Sequence, residues 1–281
     1  MDARPEAGHD DGEGRDVVLL ADTFNRFFER ENIDAALAVL GAAGYRARVV
    51  KPVDGGHPLC CGRTFLAVGK TDEARREAAR TLAALSPYVE RGVPVIGLEP
   101  SCIYAFRDEI PALIKSDMAK RVADHTFLFE EFLASENKAN RFVPDLAKIG
   151  TRALLHGHCH QKSFGAMPAI EHVLKLVPDL TVETVESSCC GMAGAFGYDK
   201  NTIDVSFAMG ELSLLPAVRN ADPDTIIVAD GTSCRQQIRD GTGREPVHVA
   251  RVLARSIQAN RDRLDRLVAE HGRMARHPET R

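Results

Sequence analysis

No C-x-x-C occurs anywhere in these 281 residues, which removes the ferredoxin run and the zinc-ribbon knuckle as sources of metal ligands. No G-x-G-x-x-G occurs either. The glycine-rich stretch GMAGAFG at 191–197 lacks that spacing, so packing around a cysteine-bound centre is a better account of it than dinucleotide binding. An excess of positive charge is also missing. With 36 Lys and Arg against 40 Asp and Glu the net charge is -4, which argues against non-specific nucleic-acid binding. No uninterrupted apolar run approaches the roughly 18 residues that a membrane helix needs. The opening MDARPEAGHDDGEGRD is acidic and glycine-rich, without the apolar core of a secretory signal. These absences predict a cytoplasmic protein whose thiols stay reduced, where clustered cysteines mean metal or redox chemistry rather than structural disulfides.

What is present is a repeat. Cys60-Cys61-Gly62 returns as Cys189-Cys190-Gly191, and each copy is followed by a further cysteine, Cys102 or Cys234, at the end of an apolar run. Counting Cys159 in HGHCHQK as an upstream member of the second set places all seven cysteines of the chain in one scheme. Cysteines used so economically read as ligands. The plainer alternatives are buried packing thiols without metal and a vicinal disulfide, which a reducing compartment disfavours.

Around the cysteines, short apolar runs alternate with helical patterns. VVLLA, RARVV, VPVIGL, RALLHGH, LTVETVE and TIIVAD read as strands. The segments ERENIDAALAVLGAAGY, Thr71 to Arg91, CHQKSFGAMPAIEHVLKLV, Val205 to Val218 and the stretch after Cys234 read as helices, and a long one closes the chain from His248 to about Arg273. From Cys102 to Glu136 the chain reads as mostly helical. The alternation predicts an α/β protein with parallel sheets. The repeat predicts a tandem, pseudo-symmetric pair of small Rossmann-like domains: a disordered acidic tail over 1–15, a first domain over 16–142, a second over 143–255, and a C-terminal helix and tail over 256–281.

In open α/β sheets functional groups gather beyond the carboxyl ends of the strands. Cys159, Cys189-Cys190 and Cys234 each follow a predicted strand closely, so four thiols can converge on one sheet edge. Adjacent residues on a regular strand point to opposite faces. A following glycine lets the chain turn so that both sulfurs of a pair reach one centre. Four thiolates suit an iron–sulfur cluster or a structural zinc. His156, His158 and His160 alternate along a strand end, either as pocket residues or as ordinary hydrogen-bonded histidines. Phe24, Phe27 and Phe28 read as helix packing.

The segments LADTFNRFFE, PLCCGR, GLEPSC, HGHCHQK, SCCGMAGAFGY and VADGTSCRQQI, spanning about Asp16 to Val252, resemble the cysteine-rich Cys-Cys-Gly domain family. That family includes the B subunit of heterodisulfide reductase and the iron–sulfur portions or subunits that serve FAD-linked oxidases of D-2-hydroxy acids such as glycolate, lactate and 2-hydroxyglutarate. The resemblance implies a tandem domain pair whose cysteines bind clusters that relay electrons. It makes Cys159, Cys189, Cys190 and Cys234 the ligands of one [4Fe-4S] cluster. This sequence departs from the family pattern of an upstream Cys, then Cys-Cys-Gly, then C-x-x-C. Gly231 stands at the first position of the second C-x-x-C, Glu99 at the first position of the first, and Asp22 or Thr23 at the first upstream position. Cys60, Cys61 and Cys102 therefore form a less complete site, for zinc, for a second cluster with a non-cysteine ligand, or for a metal-free pocket. The chain carries no flavin motif, so the resemblance implies an iron–sulfur electron-transfer module working with an FAD-linked oxidase subunit or domain, together with a ferredoxin-like iron–sulfur domain, and inactive alone on hydroxy acids. Two other readings are a heterodisulfide-reductase-like redox enzyme, against which the missing fifth cysteines count, and a zinc-stabilised interaction module.

Overall fold

The computed structural model describes residues 15–274. Strand β1 (Arg15–Leu20) leads into helices α1 (Thr23–Phe27) and α2 (Arg30–Ala42), and β2 (Tyr45–Val49) into α3 (Arg63–Ala67) and α4 (Thr71–Val89). Strand β3 (Val95–Gly97) precedes α5 (Pro100–Arg107), α6 (Glu109–Leu113) and α7 (Asp117–Asp124), and β4 (Thr126–Leu128) precedes α8 (Phe129–Lys138). The second half runs β5 (Arg152–His156), α9 (Cys159–Ser163), α10 (Met167–Leu174), β6 (Thr181–Thr184), a 3-10 turn at Gly194–Tyr198, α11 (Ile203–Glu211) and α12 (Leu214–Asn220). It ends with β7 (Ile226–Ala229), α13 (Thr232–Thr242) and α14 (Val249–Met274).

The strands form two all-parallel sheets, ordered β2-β1-β3-β4 and β6-β5-β7. In each half the first strand lies between the second and the third, and a parallel bridge from Val247 to Val228 stands where β4 stands in the first sheet. The α/β, Rossmann-like expectation therefore holds, pseudo-symmetry included. Burial follows position in the sheet. Val17 to Leu20 of β1 and Ala153 to His156 of β5 are buried without a break, because helices cover both faces of a central strand. The edge strands β2 and β6 alternate between covered and open positions.

The two sheets share one core. Val17 and Leu19 of β1 belong to the same apolar cluster as Leu155 of β5, Val228 of β7, Leu133 of α8, Ile170 of α10 and Leu253 of α14. Fully burying each such aliphatic side chain contributes roughly 1.5–3 kcal/mol. Separate clusters fill the remaining face of each half and contain the thiols Cys61 and Cys102 in one and Cys190 and Cys234 in the other.

Some details differ from the sequence reading. The stretch read as mostly helical to Glu136 contains β4, held by parallel pairing of Thr126 to Leu128 with β3. The helix expected after Cys159 is two, parted at Gly165 with φ 71°. Phe27 and Phe28 do not pack: they are 62% and 73% exposed. The polar tails expected at the two ends lie outside the described residues.

Candidate metal centre

Each cysteine of the second half is delivered by a strand that ends at the same sheet edge. Strand β5 stops at His156. The chain turns through Gly157, where a Cβ would lie 2.2 Å from the Met167 sulfur, so a side chain there would have to displace the end of Met167. His158 then caps α9, its Nδ1 accepting from the His160 N–H at 3.2 Å. The Gln161 side chain accepts from the His158 N–H at 2.9 Å, closing a reciprocal box that sets Cys159 at the first helical position. Cys189 and Cys190 follow β6, and Cys234 follows β7 in the first turn of α13.

The glycine of Cys-Cys-Gly has a defined task in both copies. Gly191 has φ 95° and Gly62 has φ 81°, in the left-handed region that favours glycine. A Cβ at Gly191 would lie 2.1 Å from the Ser206 carbonyl oxygen, and one at Gly62 would lie 2.7 Å from that of Ala74. Each glycine thus lets the next long helix lie against the pair. Each also donates its N–H to the first sulfur of its own pair, at 3.3 Å for Cys189 and 3.4 Å for Cys60.

The four sulfurs of the second half meet. Cys159 contacts Cys189, Cys189 contacts Cys190, and Cys190 contacts Cys234. All seven cysteines are free thiols. Crowding sorts them into donors and acceptors. The Cys189 contact and burial push Cys159 up, and contacts with Cys189 and Cys234 together with burial push Cys190 up. Cys189 is held low as the acceptor of Cys159 and Cys190, and Cys234 as the acceptor of Cys190 with His156 and His158 nearby. Cys159 is exposed and Cys189 half-buried, whereas Cys190 and Cys234 are buried, so the quartet has one edge open to the surface.

The three histidines do not share one strand face, because the strand ends at the first of them. A ring nitrogen of His156 lies within 4.8 Å of the Cys190 and Cys234 sulfurs, and one ring nitrogen of each of His158 and His160 is grouped in the same way with Cys159. Burial, then Arg63 and His158, hold the His160 imidazole down at about 4. His156 is 1% exposed, its Nε2 has no nitrogen or oxygen partner among the described residues, and its ring interacts with the Cys234 sulfur. Lys162 was not singled out by the sequence. Burial holds its ammonium low while all four sulfurs of the quartet pull the other way.

Four convergent sulfurs, a glycine N–H aimed at one of them and a buried imidazole nitrogen beside two others fit a thiophilic metal or an iron–sulfur cluster. Cys159, Cys189, Cys190 and Cys234 would hold it.

The first half assembles a related but mixed site. Cys61 contacts both Cys60 and Cys102, and Thr23 contacts Cys60. The Cys61 contact pulls Cys102 down, but burial and the nearby Asp22 and Glu99 carboxylates push it up to about 11. Burial, then Glu99, raise Asp22 to about 6. The residues standing where the family pattern has cysteine are thus gathered at the trio. At the remaining departure, Gly231, a Cβ would lie 2.4 Å from Cδ2 of His158, so the imidazole fills the space that a side chain there would need.

Residues 153–239 match the cysteine-rich domain family designated CCG. The C subunit of the anaerobic glycerol-3-phosphate dehydrogenase of Escherichia coli (strain K12) is 29% identical over 199 residues, covering 70% of this chain and 49% of that protein. D-2-hydroxyglutarate dehydrogenase is 25% identical over 237 residues in Escherichia coli (strain K12), covering 83% of this chain and 22% of that protein. Its counterpart in Pseudomonas putida is 26% identical over 248 residues, covering 87% and 23%. The chain therefore spans about half the length of the first relative and about a fifth to a quarter of the others. Over residues 153–239, this chain is thus similar to the Cys-Cys-Gly cysteine-rich domain family.

Proposed function

We propose that this chain is an iron–sulfur electron-transfer module of a flavin-linked dehydrogenase, with a [4Fe-4S] cluster held by Cys159, Cys189, Cys190 and Cys234. The observation that carries this reading is the meeting of those four sulfurs at one sheet edge. A cluster bound there supplies one-electron transfer. The chain's own part is to hold four thiolates in fixed positions, to bury two of them away from water, and to leave the Cys159 and Cys189 edge open towards a partner. A substrate that gives up two electrons as hydride must first meet a cofactor such as a flavin, and this sequence has no dinucleotide fingerprint for one. The partner is therefore an FAD-containing oxidase, as a separate polypeptide or as a further domain. The relatives named for glycerol-3-phosphate and D-2-hydroxyglutarate support a hydroxy compound as the reductant on that partner.

The units are a first domain over 16–142 and a second over 143–255. For the first, Cys60, Cys61 and Cys102 beside the Asp22 and Glu99 carboxylates favour a second centre with mixed donors, and three thiolates with one carboxylate suit zinc.

Anaerobic purification with iron, sulfide and zinc quantified together tests this. Brown protein with roughly one four-iron cluster per chain is the expected result. Stoichiometric zinc without iron or labile sulfide, after expression with adequate iron, would overturn it. Oxidation of lactate, glycolate or 2-hydroxyglutarate by the purified chain with no flavin bound would move the active site onto this chain and overturn it equally.

A further inference from the structure

We propose that Lys162, Ser187 and His156 form a chain of hydrogen bonds that fixes the tautomer of His156 and presents its Nε2–H to the sulfur centre of the quartet. The Lys162 ammonium donates to the Ser187 carbonyl, to the Ser188 carbonyl at 3.0 Å and to the Ser187 Oγ at 3.3 Å. An ammonium has three donors and no acceptor, so Ser187 Oγ must accept from it. That leaves the serine's single proton for its other neighbour, His156 Nδ1 at 3.0 Å. Nδ1 accepts, so the ring proton of neutral His156 sits on Nε2, the buried atom without a nitrogen or oxygen partner among the described residues. With Nδ1 turned to Ser187, Nε2 is the nitrogen left to address the Cys190 and Cys234 sulfurs.

The alternative role for His156, direct metal ligation through Nε2, needs the opposite tautomer, with Nδ1–H donating to Ser187. The serine proton would then be left to solvent, since the hydrogen bonds of Ser187 Oγ are those with Lys162 and His156. The same chain also ties α9, which bears Cys159, to the loop that bears Cys189 and Cys190. His156 is thus a positioning residue, a donor that favours the more negative, reduced form of a sulfur-rich centre. Its action on a cluster rests on the electron-transfer reading, whereas the hydrogen-bond chain does not.

Two measurements separate these. Nitrogen-15 NMR of the histidines in the full chain before cluster loading reads the tautomer directly. Nε2–H at His156, becoming a mixture in Ser187→Ala, is expected; Nδ1–H in the wild type overturns the inference whether or not a cluster binds. In loaded protein, His156→Leu should keep its iron and shift the midpoint potential to more negative values. Lys162→Met should shift it less in the same direction, and Lys162→Arg should stay near the wild type. Iron loss in His156→Leu as complete as in Cys234→Ser would make His156 a ligand and overturn the inference, as would an unchanged potential. Wild-type protein that shows the Nε2–H tautomer but takes up no iron would sink the electron-transfer reading and leave the hydrogen-bond chain standing.

Discussion

Glu99 of the first half accepts a hydrogen bond from the backbone N–H of Thr232, the first residue of α13, at 2.8 Å. Helix α13 carries Cys234, and its own cap residue Gly231 has no side chain to offer. A carboxylate beside the Cys102 thiol thus does the capping for the helix of the other centre, where negative charge also suits the helix dipole. The other oxygen of Glu99 accepts from the Ser101 hydroxyl at 2.7 Å, so one buried side chain links the two thiol sites.

Glu99→Ala should therefore destabilise the whole chain, not one half of it. Leaving the Thr232 N–H without its acceptor is worth about 1–3 kcal/mol, read as a lower midpoint in urea unfolding. A wild-type midpoint would mean that another group caps α13.

Replacing Cys190 or Cys234 by Ser should abolish the visible absorption of anaerobically prepared protein, because a lost thiolate opens one metal position to solvent. Cys60→Ser should leave that absorption largely intact, since Cys60 contacts Cys61 and Thr23 rather than the quartet. Equal bleaching by Cys60→Ser and Cys234→Ser would show that the two halves share one centre.

Gly231→Ala should cost about 1–3 kcal/mol, because its Cβ overlaps the His158 ring and cores resist added volume. The cost should fall when the ring is removed in Gly231→Ala/His158→Ala. Unfolding midpoints of the two singles and the double give the coupling, and strict additivity would refute the overlap.

The buried carboxyl of Glu130 sets a dependence on pH. Its Oε1 accepts from Gln161 Nε2 at 2.6 Å, and the same amide donates to Asp230 at 2.9 Å. Burial, then the charge of Asp230, hold Glu130 well above its ordinary value of 4.5. The folded protein keeps this proton at pH values where the unfolded chain has lost it. Stability is therefore undiminished below about 4.5 and falls as pH rises from there through the folded value. Glu130→Gln, which mimics the protonated group, should lose this fall and be more stable than the wild type at pH 7.5. Urea midpoints of both proteins between pH 4.5 and 8 check it, and parallel curves would refute it.

The grouping of the cysteines was legible in the sequence because it depends on chain order alone. Cys159, Cys190 and Cys234 each stand shortly after an apolar run, and parallel strands wound in one direction bring all such ends to one edge. The glycine of each Cys-Cys-Gly was legible for a similar reason, since two adjacent side chains cannot turn to one side without a permissive residue beside them. Strand β4 was not, for it has only three residues, and they become a strand by pairing with β3 rather than by any pattern of their own.

The surroundings of the sulfurs were decided by tertiary structure. Arg235, 1% exposed, is held by Glu29, which is 206 positions away, and Glu99 reaches Thr232 across 133. Such pairs leave no local signature, since a charged residue reads the same in sequence whether water or a partner receives it. The exposure of Phe27 and Phe28 belongs here too: periodicity says which face of a helix is apolar, and only the packed molecule says whether anything covers it. His156, His158 and His160 alternate evenly in the sequence. The end of β5 at His156 parts its ring, beside Cys190 and Cys234, from those of His158 and His160, which share Cys159, because a backbone that passes from strand to helix turns its side chains through a new period.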